Sequence, residues 1–210
     1  LDTIDCLKSL NTSVKNDVNM RLFVIDNGSD FNKFEIMHNW CVNNYNKVVI
    51  VERKSILNKS IDLDDFDLFS DECIYLIKNN ENLGFASGNN VGLSLSKLLN
   101  TKYVCLLNND TVIKDDAIQS LYKTLHNEKC VSVIPQIRLF FPDNKIWNCG
   151  GKISWHGNRK YYFQGSLIED INVYKNKVNS NILSVEYSTG CCLMYRLDLM
   201  GLLTDKFFFG

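Results

Sequence analysis

Three polar clusters in the chain stand directly after apolar runs, and each has residue types suited to a different piece of chemistry. Asp26-Asn27-Gly28-Ser29 follows Leu22-Phe23-Val24-Ile25. Its carboxylate can accept hydrogen bonds from a base or a ribose; equally, Asp26 can cap the helix that follows a tight turn. The stretch from Asn80 to Asn90 follows Ile74 to Ile77 and spaces Gly84, Gly88 and Gly92 four apart. Glycines there let a ligand or a neighbouring backbone come close, and a helix amino terminus favours a phosphate. The stretch is neither a G-x-G-x-x-G fingerprint nor a P-loop. A helix packed tightly on a sheet explains the glycines without a ligand, but accounts less well for Asn89-Asn90. Asn108-Asn109-Asp110 closes the run from Tyr103 to Leu107. A lone carboxylate among amides offers one hard oxygen ligand, which suits Mg²⁺ or Mn²⁺ held mainly by a substrate diphosphate. The plain alternative is an Asx turn. Ligands of open α/β sheets bind beyond the carboxyl ends of the strands, so the order of the three clusters points to one site where no single cluster does.

The elements that must position these clusters alternate. Asp2 and Thr3 can cap a helix over 2–10 with Ile4, Leu7 and Leu10 on one side. The unbroken apolar tetrad 22–25 reads as a parallel strand covered on both faces. A helix over 32–44 carries Phe34, Met37 and Cys41, and Val48 to Val51 and Ile74 to Ile77 are two further strands. The acidic segment 62–67 between them reads as an irregular, solvated excursion. Asn82 to Asn90 leads into a helix with Val91, Leu95, Leu98 and Leu99 on one face. Tyr103 to Leu107 is a fifth apolar segment, and Asp115-Asp116 open a helix carrying Ile118, Leu121 and Leu125. This rhythm predicts an α/β layered fold with a mostly parallel sheet. Past Pro135 it breaks, and 136–188 predict a small irregular antiparallel region with a turn at Gly150-Gly151.

With 210 residues, 45% hydrophobic and 22% charged, the chain is globular and not disordered. Its 23 basic and 24 acidic side chains supply no bulk positive field for nucleic acid or an anionic membrane. No run approaches the apolar length of a transmembrane helix. The eight cysteines include no Cys-x-x-Cys pair, and several sit in apolar strings such as Val104-Cys105-Leu106. They read as reduced core residues of a cytoplasmic protein. Leu1 and the apolar end Phe207-Phe208-Phe209-Gly210 read as cut termini.

Taken together, Val24-Ile25-Asp26-Asn27-Gly28-Ser29, Asn80-Glu81-Asn82-Leu83-Gly84-Phe85-Ala86, Leu106-Leu107-Asn108-Asn109-Asp110-Thr111 and Ser188-Thr189-Gly190-Cys191-Cys192-Leu193-Met194 resemble the family 2 glycosyltransferases, most of all their rhamnosyltransferase-like branch. The resemblance runs over nearly the whole chain. It implies a GT-A fold, a Rossmann-like three-layer sandwich, in one domain over 1–210. Residues 1–135 would form the nucleotide-sugar-binding part and 136–210 the acceptor-side part. The implied reaction transfers a sugar, with inversion, from a nucleoside diphosphate donor to a saccharide or lipid-linked acceptor, in surface polysaccharide synthesis. Asp26 would contact the nucleobase, with Asn27 and Ser29 in the same loop. Asn82, Gly84, Phe85, Asn89 and Asn90 would border the nucleotide. Asp110 would be the retained ligand of Mg²⁺ or Mn²⁺ in the family's Asp-x-Asp place, with Asn109 near the sugar or ribose. Thr189 and Gly190 would lie on the acceptor side. The family's first strand is absent, and its catalytic base is expected just after Gly210, so the chain as it stands is expected to be inactive or nearly so. The implied setting is the cytoplasm, or the inner face of the plasma membrane as a peripheral protein.

A non-catalytic nucleotide- or sugar-binding module of the same fold is the rival reading. A sugar nucleotidyltransferase finds no Gly-x-Gly-Thr-Arg-like loop to support it. His38, His126 and His156 are scattered and read as structural or surface residues. Trp147, Tyr161, Tyr162 and Phe163 read mostly as core, with Trp155 left open as a platform for an acceptor sugar.

Overall fold

The structure, a computed structural model, describes residues 2–13, 19–69, 72–114, 116–128, 130–178 and 182–200. The chain divides into two compact units. One takes the residues up to Val104, then 109–131 and those from Tyr195; the other takes Cys105–Asn108 and Ser132–Met194.

The first unit opens with α1 (Asp2–Ser13), followed by β1 (Leu22–Asn27), α2 (Phe31–Asn44), β2 (Lys47–Glu52), the short α3 (Arg53–Leu57) and a 3-10 turn at Leu63–Phe66. β3 (Cys73–Asn79) and α4 (Gly84–Leu98) come next. β1, β3 and β2 form a parallel sheet in the order β1-β3-β2. The central strand β3 is the one covered on both faces, with Cys73 to Ile77 fully buried. β1 is an edge strand of this sheet, and Leu22 to Ile25 are only half-buried. Parallel strands need long crossovers: α2 joins β1 to β2, and α3 with the 3-10 turn joins β2 to β3, while α4 leaves β3 for β4. On one face of the sheet Val51, Tyr75 and Ile77 pack with Ile56, Phe66, Val91 and Leu95.

The acidic excursion is not wholly solvated. Asp62, Asp64, Asp65 and Asp67 are exposed, but Phe66 between them is 2% exposed and stacks on Tyr75 at a ring separation of 4.9 Å. Asp62 caps the 3-10 turn by accepting the Asp64 N–H, and that turn drives Phe66 inward. α4 also differs from expectation. It starts at Gly84, inside the predicted turn, so Gly84, Gly88 and Gly92 lie in the helix.

β4 (Tyr103–Leu107) leads out to Asn108, and α5 (Ala117–Asn127) buries the predicted Ile118, Leu121 and Leu125. The second unit holds β5 (Ser132–Val133), β6 (Ile137–Arg138), β7 (Ile146–Asn148), β8 (Gly151–Ile153), β9 (Arg159–Tyr161), the unpredicted α6 (Ile168–Val178) and most of β10 (Cys192–Arg196). β4, β10 and β5 neighbour one another in that order, whereas β6 with β7 and β8 with β9 form antiparallel pairs. α7 (Leu197–Met200) follows β10. All eight cysteines are free, and the Cys192 thiol is pushed up by its hydrogen bond with Cys105 and by burial.

Candidate functional site

β1 and β3 run in register, so Asp26 stands beside Lys78, and Asn27 beside Asn79, at the carboxyl end of the sheet. Side chains alternate between faces along a strand, so Asp26 and Asn27 point to opposite faces. Asp26 is 6% exposed, and its Oδ1 accepts the Ser29 N–H at 3.3 Å, closing the turn. The cap of α2 is a different residue. Asp30 accepts the Lys33 N–H at 3.0 Å, and that bond, together with the Lys33 ammonium, holds its carboxyl below the usual range. Asp26 is thus free of the capping role that the sequence allowed it.

Asn27 is the hub of the cluster. Its Oδ1 accepts from Asn79 Nδ2 and from the Leu83 N–H, both at 3.1 Å. Its Nδ2 donates to Asn82 Oδ1 at 3.0 Å and to the Gly84 carbonyl at 3.2 Å. Asn82 Oδ1 also accepts the Gly84 N–H at 2.9 Å. The side chain of one strand end therefore fixes the loop that leaves the next. Gly28 makes this possible: its φ is +80°, and a Cβ there would lie 2.5 Å from the Glu81 carbonyl carbon.

The glycine ladder of α4 serves packing. A Cβ on Gly92 would lie 2.7 Å from Ile25 Cδ1, and one on Gly88 would lie 3.2 Å from Asn27 Nδ2. Close approach of helix to strand, the reading without a ligand, accounts for both. Gly84 has open space around it, and Phe85 beside it is exposed. Asn89 bonds back to the Phe85 carbonyl at 2.9 Å, and Asn90 is half-buried.

Asn109 and Asp110 belong to the same unit and are exposed. The chain around them is held by one face of α1, where Thr3, Cys6, Ser9 and Ser13 recur at helical spacing. Asn109 Nδ2 donates to Thr3 Oγ1 at 2.9 Å, Cys6 Sγ lies 3.8 Å from Thr111 Oγ1, Ser9 Oγ accepts the Ile113 N–H at 2.9 Å, and Ser13 Oγ donates to the Ile113 carbonyl at 3.0 Å. Tyr45 at the end of α2 donates to Asn11 Oδ1 of α1 at 2.8 Å. One helix thus ties the Asp110 loop to the β1-α2 side of its unit. Thr189 and Gly190 belong to the second unit, where Thr189 Oγ1 accepts the Cys191 N–H.

Among the described residues no three His, Cys, Asp or Glu side chains gather as a metal cage. Asp110 fits a divalent ion only as a single carboxylate ligand, which requires that other ligands come with the substrate. The place just after Gly210, and the stretch 201–210 before it, lie outside the described residues.

Two residues escaped the sequence reading. Asn79 is 1% exposed, and its Oδ1 finds no hydrogen-bond partner among the described residues; neither does the buried Nε of Arg53, the first residue of α3. Arg53 Nη1 reaches Glu81 Oε1 at 3.4 Å, across the carboxyl end of β3. A cation two residues beyond Val51, past the end of the apolar run Val48 to Val51, was the available signal.

The family model for glycosyl transferase family 2 matches residues 56–199. The match includes the Asn80 to Asn90, Asn108 to Asp110 and Ser188 to Met194 blocks and begins beyond the Asp26 loop. None of the curated proteins matches the chain.

Proposed function

The chain belongs to glycosyl transferase family 2, and from that premise we propose that it transfers a hexose-type sugar, rhamnose, with inversion from a nucleoside diphosphate donor to a saccharide or lipid-linked acceptor. The family brings the GT-A fold, a nucleotide-sugar donor and an acceptor. In this reading Asp26 accepts hydrogen bonds from the nucleobase, and Asn27, Ser29 and the loop from Asn82 to Phe85 border the nucleotide, with Asn89 and Asn90 behind them. Asp110 is the protein's carboxylate ligand to Mg²⁺ or Mn²⁺, the ion offsetting charge on the departing diphosphate. Asn109 faces the sugar or ribose, and Thr189 and Gly190 the acceptor. Residues 1–135 serve the donor and 136–210 the acceptor, within a single domain. The setting is cytoplasmic surface polysaccharide synthesis.

The observation that carries the reading is the hydrogen-bonded junction of Asn27 with Asn79, Asn82, Leu83 and Gly84. It gives a rigid polar loop at the carboxyl end of a parallel sheet, where ligands of such sheets bind. The Asp26 carboxylate, on the opposite face of β1, accepts the Ser29 N–H. The test is binding of a panel of dTDP-, UDP- and GDP-sugars to the chain in Mn²⁺ and in EDTA. Mn²⁺-dependent binding of one donor, lost in Asp110→Ala, supports the reading; binding unchanged by that substitution refutes it. The lone carboxylate at 110 favours one rival, a non-catalytic nucleotide-binding module, which predicts nucleotide binding without metal.

A further inference from the structure

Two buried polar atoms at the carboxyl end of the first sheet have complementary needs. Asn79 ends β3, the central strand, and is 1% exposed. Its Nδ2 donates to Asn27 Oδ1 of β1 at 3.1 Å, while its Oδ1 finds no partner among the described residues. The two heads of an amide point apart, so an Nδ2 turned to β1 turns Oδ1 toward the other neighbour of β3, which is β2. There the chain places Arg53. Glu52 at the end of β2 stands beside Lys78, so one more step along the two strands sets Arg53 beside Asn79. The Arg53 Nε is buried and also finds no partner among the described residues. A buried donor and a buried acceptor left unpaired are each costly and uncommon in folded proteins.

The guanidinium reaches the same loop by a second route. Its Nη1 lies 3.4 Å from Glu81 Oε1, and the Glu81-Asn82 peptide is the one on which Gly28 packs. This ion pair is long, and the Glu81 side chain is 71% exposed, so it adds little. It does not account for the buried Nε. Val51 before Arg53 and Ile56 after it both belong to the core on that face of the sheet, so the backbone at 53 is held from both sides.

We propose that Arg53 is a positioning residue for the 80–84 loop: its Nε–H satisfies Asn79 Oδ1 through one shared water molecule and so fixes which way the Asn79 amide faces. An asparagine amide fills nearly the same volume when turned over, but only one orientation offers Asn27 Oδ1 a donor. The Arg53 Nε can only donate, so it selects the orientation that directs Nδ2 to Asn27. Asn27 in turn keeps its own Nδ2 on Asn82 Oδ1 and the Gly84 carbonyl. Donor and acceptor roles are thus set in order from Arg53 to Asn79, to Asn27 and to the loop. A polar gap between a donor and an acceptor suits a water, which takes about two to four partners when buried. The positioning role rests on the reading of this loop as the border of the nucleotide, whereas the lock itself does not.

The experiment is amide hydrogen exchange of the whole chain without nucleotide, followed by NMR. Leu83 and Gly84 report the loop, because their N–H groups donate to Asn27 Oδ1 and Asn82 Oδ1. Tyr75 and Leu76, fully buried in β3, report global opening. Arg53→Met keeps the apolar stem and removes Nε, and raises exchange at Leu83 and Gly84 about tenfold relative to Tyr75 and Leu76. Arg53→Lys keeps the charge without the Nε donor and raises it about fivefold, whereas Glu81→Gln changes it by less than about twofold. In Asn79→Ala, where Asn27 has already lost its donor, Arg53→Met adds no further rise. With Mn²⁺, Arg53→Met weakens binding of the preferred nucleotide among UDP, dTDP and GDP about tenfold and leaves the order of preference unchanged. An equal rise at all four amides overturns the proposal, since Arg53 then serves only the fold. So does a Glu81→Gln effect as large as that of Arg53→Met, or additive effects of Arg53→Met and Asn79→Ala. The predicted exchange pattern without binding of any of the three nucleotides upholds the lock and refutes the transferase reading instead.

Discussion

Replacing Asn27 with Asp changes one NH₂ to an oxygen and almost nothing in shape. Two of the four bonds at the hub survive, because the carboxylate still accepts from Asn79 Nδ2 and the Leu83 N–H. The other two become oxygen facing oxygen, at separations now 3.0 Å to Asn82 Oδ1 and 3.2 Å to the Gly84 carbonyl. A typical hydrogen bond contributes about 0.5–1.5 kcal/mol net, and both lost ones are solvent-exposed, so the lower half of that range applies. With acceptor–acceptor repulsion added, the expected loss is about 2 kcal/mol. Urea unfolding of a chain this size has a slope of about 2 kcal/mol/M, so the midpoint falls by ~1 M. The same loss in the loop weakens nucleotide binding by about an order of magnitude. Protonating the introduced carboxyl restores a donor, so the midpoint recovers on titration from pH 7 to pH 4 relative to the parent protein. A variant whose midpoint stays within 0.2 M of the parent and whose nucleotide affinity is unchanged would refute the hub.

Gly28→Ala forces a side chain into the left-handed region and against the Glu81-Asn82 peptide; strain and backbone displacement together cost about 3 kcal/mol, read as thermal destabilisation with loss of nucleotide binding. Phe66→Ala opens a cavity under Tyr75 and costs about 3–5 kcal/mol in urea, whereas a solvated Phe66 would cost almost nothing. Burial pushes the Cys41 thiol to about 11 and the Tyr45 hydroxyl to about 12. The folded state therefore keeps protons that the unfolded chain releases above pH 9 and pH 10 respectively. The contribution of these two groups is flat below pH 9 and falls by about 1.4 kcal/mol per pH unit for each, between pH 9 and 11 for Cys41 and between pH 10 and 12 for Tyr45; constant stability from pH 9 to 11 would contradict the burial of both.

The strands and helices of the first unit are legible because burial writes itself into composition there. Leu22 to Ile25 and Ile74 to Ile77 are unbroken apolar runs, and α5 repeats its apolar residues with helical spacing. The start of α4 is hidden for a physical reason. Its inward positions before Val91 are Gly88 and polar residues, and a glycine that touches Ile25 or Asn27 leaves no apolar signature. Phe66 is hidden by its acidic neighbours, which hold the turn that buries it. In the second unit β5 to β9 are two or three residues long, too short for any period to register. α6 had a readable signal, with Glu169 and Asp170 in its first turn and Lys175 and Lys177 in its last, matching the helix dipole. At the site, Asp26, Asn27 and Asn82 are visible as strand-end residues, but the bonds that join them span more than fifty positions. Arg53 and Asn79 meet that cluster only through strand order, which no local pattern encodes.

Calorimetric titration of UDP, dTDP and GDP into the chain, with Mn²⁺ and with EDTA, tests the account most directly. The prediction is Mn²⁺-dependent binding of one diphosphate, reduced at least tenfold in Asp110→Ala, with discrimination among the three bases lost in Asp26→Ala. Affinity that is equal in EDTA and indifferent to both carboxylates would contradict it.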